Sequence, residues 1–220
     1  LNEIIITGYY KGIVDFDPSP AVLNSSSTSN STDIFLAKFS SSGSLIWNKT
    51  FGSTSSLEAS REIAIDQNDN IILVGFYGGT MDIDPSTSVF NLSHGSQENS
   101  FIGKFDNQGN LITAKNLSSS SELIVKSVKL SSTNEIILAG SFYGSADFNP
   151  SNSSTAFASS NGSSDGFLIK LDSNMNFIFV KTIGSASADV MEKIELDDNN
   201  NIYCTGYYFG TMEDLVMHIY

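Results

Sequence analysis

Short apolar runs separated by polar turn residues recur along the whole chain. Residues 61–66 and 70–77 are two such runs, joined by the turn-forming sequence Q-N-D. Residues 100–105 and 111–117 are a second pair, and Gly109 in the turn between them can adopt a positive φ. Apolar residues within the runs are two apart or contiguous, and no stretch has the period of an amphipathic helix. The pattern therefore predicts antiparallel strands joined as hairpins in an all-β protein.

The unit formed by these four runs repeats about every 66 residues. Glycine-aromatic segments mark the copies at Gly8, Gly75, Gly140 and Gly206. Two further columns with this spacing are Lys38, Lys104 and Lys170, and Lys49, Lys115 and Lys181. These lysines are expected to pair with acidic neighbours along strand faces. Repeats of this length are typical of propellers, solenoids and arrays.

Four strands in meander order predict one blade of a β-propeller, with strands A to D running outward from the centre. Residues 1–52 then supply strands B, C and D of a first blade, 57–118 a second blade, 122–184 a third blade, and 188–220 part of a fourth. The last residues, D-L-V-M-H-I-Y, resemble strand C. Because closed propellers have about four to eight blades, the sequence predicts a partial propeller within a larger one. A four-bladed ring closed by pairing of the two termini is the alternative.

The connections between strands are of two kinds. Those between strands A and B and between C and D are tight turns, whereas those between B and C are long and rich in Ser and Asn, at residues 17–32, 84–98 and 149–164. Long surface connections on a rigid scaffold often carry binding. The alternative is that they are solvated spacers. A working face of the protein is therefore expected at the rim that carries the long connections.

Composition narrows the classes of partner. The chain has 24 acidic and 11 basic residues, a net charge of −13, and no cluster of Lys or Arg, which argues against nucleic acid. No stretch approaches the roughly 20 apolar residues that span a bilayer, so no membrane insertion is expected. The one cysteine, Cys204, stands where Ile6, Leu73 and Leu138 occur in the other copies, which predicts a buried apolar role.

A recurring D-x-D-P or D-x-N-P step supplies the candidate metal ligands. The pairs are Asp15 with Asp17, Asp82 with Asp84, and Asp147 with Asn149. Alternate oxygen-bearing side chains fall on one face of a strand, and calcium binds six to eight oxygen ligands, so each pair plus turn carbonyls could form part of a calcium shell. The other interpretation is that the first aspartate caps a turn and the proline ends the strand. Calcium is the cofactor considered, with no cofactor as the alternative.

The sequence offers little for catalysis. His94 and His218 occupy no repeated position, and no G-x-S-x-G, H-E-x-x-H or paired-cysteine pattern occurs. The protein is therefore predicted not to be an enzyme. Two carboxylates facing each other across a pocket suffice for glycoside hydrolysis, but the spacing nominates no pair.

The order of these motifs resembles the SBBP-type β-propeller repeat. That repeat has D-x-F-x-x-K-F/L, then D-x-x-G-N-x-x-x-x-K, an apolar strand, and N-x-x-x-x-G-x-x-x-G-x-x-D-F-D-P. The segments that carry the resemblance are 33–39, 106–115, 62–66 and 70–85, with their copies. Members with the G-T-x-D-F-D-P variant look like large secreted or surface-exposed proteins of Bacteroidota-type bacteria, often exported by the type 9 secretion system.

The resemblance implies a non-catalytic secreted or cell-surface module for binding, adhesion or scaffolding, whose partner is a protein or a glycan at the cell surface. An accessory subunit or cargo of a secretion or surface machine belongs to the same class. The competing class is an extracellular carbohydrate-active enzyme or its lectin-like module.

Overall fold

β-Strands form nearly all of the regular structure in the computed structural model, which describes residues 3–53, 58–93, 98–151 and 155–210 and the backbone of 216–219. The first copy contains β1 (Ile4–Lys11), β2 (Ile13–Asp15), β3 (Asn24–Ser26), a 3-10 turn (Thr28–Asn30), β4 (Thr32–Phe39) and β5 (Leu45–Phe51). The second contains β6 (Ala59–Ile65), β7 (Ile71–Tyr77), β8 (Thr80–Asp82), β9 (Asn91–Ser93), β10 (Asn99–Phe105) and β11 (Leu111–Ser119). The third contains β12 (Glu122–Leu130), β13 (Ile136–Tyr143), β14 (Ser145–Asp147), β15 (Phe157–Ser159), β16 (Asp165–Leu171) and β17 (Phe177–Gly184). The last strands are β18 (Val190–Leu196), β19 (Ile202–Tyr207) and β20 (Val216–Ile219).

The second and third copies each form the predicted meander of four antiparallel strands, β6-β7-β10-β11 and β12-β13-β16-β17. The first copy contributes β1-β4-β5, and β18 pairs with β19. The innermost strand β12 contacts both β6 and β18, and Lys193 on β18 forms an ion pair with Glu62 on β6, two copies away. Sheets that converge in this way fan around an axis. The chain is an all-β protein with the β-propeller fold, as the sequence predicts.

The hydrophobic core lies between neighbouring sheets. One cluster of buried side chains combines Ile72 and Val74 of β7 with Leu123 and Val125 of β12 and with Phe167 of β16. A residue on the second blade therefore packs against the third, which is how adjacent propeller blades stabilise each other.

The last strand, β20, does not lie where its resemblance to strand C predicts. The backbone of β20 pairs with the outer strand β17, Gly184 opposite Val216, whereas strand C would pair with β19. Gly184 on β17 corresponds to Ser118 on β11 and Gly52 after β5, which pair with Asp147 and Asp82. β20 therefore occupies the position that β14 takes on the preceding sheet.

Tight turns that begin with aspartate share one hydrogen-bond arrangement. In the turn from 66 to 70, Asp66 Oδ1 accepts the backbone N–H groups of Asn68 and Asn70, and Oδ2 accepts the side-chain amide of Asn70. The same bonds recur after Asp106, Asp172 and Asp197. Burial opposes ionisation of Asp66, but hydrogen bonds from Asn70 and Lys104 hold its pKa below the ordinary value. These turns fix the rim opposite the long connections.

Met175 occupies the turn position that Gly109 takes in the second copy. Its φ is 62°, in the left-handed region, yet its side chain is buried in the core between the sheets. Met175→Gly is expected to remove the backbone strain but to lose the packing, with a net destabilisation of about 2 kcal/mol. Urea unfolding measures this change.

Asp69 provides the matched control because it has a φ of 60° and an exposed side chain. Asp69→Gly is expected to stay within about 0.5 kcal/mol of the unmodified chain. Equal stability of the Met175→Gly protein and the unmodified chain would show that this side chain does not support the core.

Candidate functional site

Each long connection folds into a two-stranded hairpin, β2–β3, β8–β9 or β14–β15. β14 pairs with the outer strand β11 of the preceding sheet, and Asp82 at the end of β8 forms a bridge with Gly52. The second and third hairpins therefore reach back and hold the preceding blade. The sequence did not predict these strands because each is three residues long, too short to show the apolar alternation that marks a strand.

The aspartate pairs lie at the ends of the first hairpin strands. Asp147 Oδ1 accepts the backbone N–H of Asn149 at 3.0 Å and that of Ala156 at 2.9 Å. Asp82 makes the same two bonds to residues 84 and 90, and Asp15 to residues 17 and 23. The first carboxylate of each pair thus closes its own loop, the geometry that the turn interpretation describes.

The second member of each pair continues the same arrangement. Asp17 Oδ1 accepts the N–H of Ser19, Asp84 Oδ1 that of Ser86, and Asn149 Oδ1 that of Ser151. Each pair belongs to its own hairpin. Within the described part of the chain, no group of three or more His, Cys, Asp or Glu side chains could hold a metal ion. Calcium binding therefore stays a prediction.

Two substitutions of Asp82 distinguish closure of the hairpin turn from calcium binding. Asp82→Asn keeps an oxygen that can accept both N–H groups and is expected to stay within about 0.5 kcal/mol of the unmodified chain, whereas Asp82→Ala should cost about 1–2 kcal/mol. The measurement is the melting temperature of each protein in calcium and in chelator. A calcium-dependent stabilisation that disappears in Asp82→Asn would contradict the turn role and support a calcium site.

A groove lies between the second and third hairpins. It has a volume of about 510 Å³ and is lined by Phe90, by Ala114 and Lys115 of β11, and by Asp147 and Asn149. Two of the sequence-predicted site residues therefore line a concave surface. The groove combines one lysine, one carboxylate and one aromatic ring, a lining that can bind polar and apolar groups together.

Exposed apolar side chains recur on the hairpins. Val22 is 68% exposed, Val89 is 69% exposed and Phe157 is 58% exposed, and Leu23 and Phe90 are also exposed. Val22 and Val89, like Leu23 and Phe90, occupy equivalent positions of successive copies. The rim that carries the long connections therefore exposes apolar side chains at repeated positions.

The lysine column of strand C is structural. Lys104 Nζ lies 3.0 Å from Asp66 Oδ2, Lys170 Nζ lies 2.8 Å from Glu135 Oε2, and Lys38 forms an ion pair with Glu3. The predicted pairing with acidic neighbours is confirmed for this column, and these ion pairs hold strand C to the turn or strand beside it. The prediction is wrong for the second column, because Lys49, Lys115 and Lys181 form no ion pair with any described residue.

Two buried carboxylates bear on the enzyme alternative. Asp33 is 3% exposed and Glu58 is 1% exposed. Burial raises the pKa of Glu58 to about 7, a hydrogen bond from Ser53 opposes this rise, and the charge of Asp33 adds to it. A polysaccharide cannot reach either group in this arrangement, so the pair does not form a glycosidase site.

The prediction for Cys204 is wrong, because the structure places its side chain at the surface. Cys204 lies on β19, whose one paired neighbour among the described residues is β18. Its equivalent Leu73 is buried, because β7 lies between β6 and β10. Cys204 does occupy the position equivalent to Leu73, but the described sheet contains no strand that covers it on the second edge of β19.

Comparison with known proteins agrees with the repeat architecture. No protein-family model matches the sequence. The chain is similar to an uncharacterized WD repeat-containing protein of Acanthamoeba polyphaga mimivirus, with 24% identity over 78% of this chain. It spans 14% of the length of that protein. The likeness fits a repeat β-propeller. Separately, the described residues contain no helix that is long and apolar enough to cross a membrane.

Proposed function

We propose that this protein is a non-catalytic binding and scaffold module that holds a protein partner on the rim formed by its hairpins. The observation that carries the proposal is the repeated hairpin, supported by aspartate bonds and presenting Val22, Val89 and Phe157 to solvent. The WD-repeat likeness supports a role in protein binding. A rigid scaffold with repeated exposed apolar residues can contact a large partner surface.

The partner's chemistry follows from the rim. A protein surface with an apolar patch would cover the exposed Val and Phe side chains, and positive charge around that patch would complement a chain of net charge −13. The proposal places the protein outside the cell or on its surface, as the SBBP-type resemblance implies, with export through a type 9 route in a Bacteroidota-type source.

For the test, a photo-crosslinking amino acid replaces Val89 in the whole chain. The labelled protein is added to the cells that produce it and is irradiated. The crosslinked protein is then purified, and its affinity is measured by calorimetry. The triple variant Val22→Asp, Val89→Asp and Phe157→Asp is expected to bind at least about tenfold more weakly, because apolar anchors dominate such interfaces.

A matched triple variant controls for loss of fold. Ile46, Ile112 and Ile178 are exposed, equivalent residues of the outer strands, and their replacement by Asp should leave affinity within about twofold. Equal losses from both triples would contradict a site on the hairpins. Binding to purified glycans without a protein partner, or product release from a polysaccharide, would overturn the proposal in favour of a lectin-like module or an enzyme.

A further inference from the structure

One turn of the third long connection combines an exposed asparagine with a glycine that follows it. Asn161 and Gly162 form the one Asn-Gly step in the sequence, and both residues are exposed. Gly162 has a φ of 92°, in the region that favours glycine. The turn lies between β15 and β16, within a continuously described part of the chain.

The two groups that would react with each other make no hydrogen bond within the described part of the chain. Asn161 donates its backbone N–H to the carboxylate of Asp165, at 3.2 Å from each oxygen. No described residue bonds the side-chain amide of Asn161, and none accepts the N–H of Gly162. Gly162 also has no Cβ that would shield its nitrogen. The amide carbon of Asn161 is therefore open to attack by the backbone nitrogen of the next residue.

We propose that Asn161 is a site of spontaneous deamidation and isomerisation. The backbone nitrogen of Gly162 gives its proton to water and attacks Cγ of Asn161, so that a C–N bond forms and ammonia leaves with a proton. Water then opens the cyclic imide at one of its two carbonyl carbons. Cleavage of the bond to Cγ leaves aspartate, and cleavage of the bond to the backbone carbonyl carbon leaves isoaspartate, in which the main chain runs through Cγ. Water is the one co-reactant, no group is oxidised or reduced, and either product adds a negative charge.

The turn packs closely against the connection between β17 and β18. A Cβ on Gly162 would lie 2.7 Å from the carbonyl oxygen of Ala186. Asp189 donates its backbone N–H to the carbonyl oxygen of Ser164, with 2.7 Å between the two atoms. Isoaspartate inserts a methylene group into the main chain beside these contacts, whereas aspartate leaves the length of the main chain unchanged. We therefore expect isoaspartate to displace the turn from this connection and aspartate to leave it in place.

The test is incubation of the whole chain in heavy-oxygen water, followed by digestion in ordinary water and mass spectrometry of the peptides. Asn161 is expected to exchange its amide for an acid that contains a solvent oxygen at least about tenfold faster than Asn24 or Asn91. Asn24 and Asn91 are exposed as well, but Ser25 and Leu92 follow them, so the comparison isolates the effect of glycine. Equal rates at the three asparagines, or no heavy oxygen at Asn161, would overturn the proposal.

Two variants separate the reaction from its consequence. Asn161→Gln keeps an amide on a longer side chain, which disfavours ring closure, so no heavy oxygen should enter at this position. Asn161→Asp supplies the added charge on a main chain of normal length. The equilibrium constant for unfolding of freshly prepared Asn161→Asp protein should lie within about twofold of that of the unmodified chain, because exposed charges contribute little to stability. Heavy oxygen entering Asn161→Gln as fast as the unmodified chain would contradict attack by the Gly162 nitrogen.

The isoaspartate form is then separated by chromatography and unfolded in urea. Its equilibrium constant for unfolding is expected to be at least about tenfold larger than that of Asn161→Asp. Equal stability of these two proteins would show that the turn accommodates the added methylene group and would contradict its close packing on Ala186. The modification does not depend on a partner at the hairpin rim, so loss of partner binding in the Val22, Val89 and Phe157 triple variant should leave the rate at Asn161 unchanged.

Discussion

Gly140→Ala is expected to destabilise the protein by about 3 kcal/mol or more. Gly140 lies on β13 between the bulged strand β12 and the ring of Phe167, and a Cβ there would overlap the backbone carbonyl oxygen of Ile124. Backbone in the middle of a sheet cannot move aside as a flexible side chain can. Urea unfolding followed by circular dichroism measures the change in the free energy of unfolding.

Gly8→Ala is the matched control for this prediction. Gly8 holds the same position on β1, but the three atoms nearest to its Cβ all belong to the side chain of Phe35, and none of the three is a backbone atom. We expect a loss of about 1 kcal/mol, because the ring can shift by a few tenths of an ångström. A Gly140→Ala protein as stable as Gly8→Ala would show that β12 and β13 do not approach as closely as described.

Glu58→Gln is expected to stabilise the protein by about 2–3 kcal/mol at pH 8 and to have little effect at pH 4. Glu58 is buried, its Oε2 accepts no hydrogen bond from the described residues, and burial raises its pKa to about 7. Ionisation of this group above pH 7 therefore leaves a buried charge without full compensation. Glutamine has the same shape and carries no charge.

The sign of the pH dependence follows from the raised pKa. The folded protein binds the Glu58 proton more tightly than the unfolded chain, whose carboxyl has its ordinary pKa of 4.5. Stability contributed by this proton is present below about pH 4.5 and is lost as the pH rises to about 7. The difference in unfolding free energy between Glu58→Gln and the unmodified chain should therefore grow across that interval and then level off.

Ser53→Ala tests the direction in which a neighbouring hydrogen bond shifts the pKa of Glu58. Ser53 donates a hydrogen bond to Glu58 that favours the ionised form. Its removal should move the upper end of the pH interval above 7. A difference curve that stays flat between pH 4.5 and 8 for Glu58→Gln would contradict the buried, uncompensated carboxylate.

The repeat spacing predicted the blades because strand length, turn residues and the glycine of strand B are local signals. At Gly75 and Gly140 a backbone carbonyl and a phenylalanine ring lie so close that a side chain would not fit. This requirement explains why glycine recurs at this position of the copies. The short strands β8 and β14 escaped prediction because they are three residues long, and their contacts with Gly52 and β11 of the preceding copy lie far away along the chain. Contacts made across copies leave no pattern in the local sequence.

The candidate site was predictable only in part. The aspartate pairs lie in the long connections that form the hairpins, as predicted, and Asp147 and Asn149 line a groove. The exposed residues Val89 and Phe90 were missed, although their recurrence in otherwise polar segments was a visible signal. The exposure of Cys204 could not be read from the sequence, since it depends on which strand lies beside β19.

Zero-length carbodiimide crosslinking followed by mass spectrometry tests the fan arrangement of the blades most directly. Glu62 and Lys193 form an ion pair between strands two copies apart, and Lys126 with Glu192 and Lys129 with Glu195 join adjacent copies. Blades around an axis predict all three crosslinks within one chain. Crosslinks between adjacent copies without the one between Glu62 and Lys193 would show copies stacked in a line and contradict the propeller.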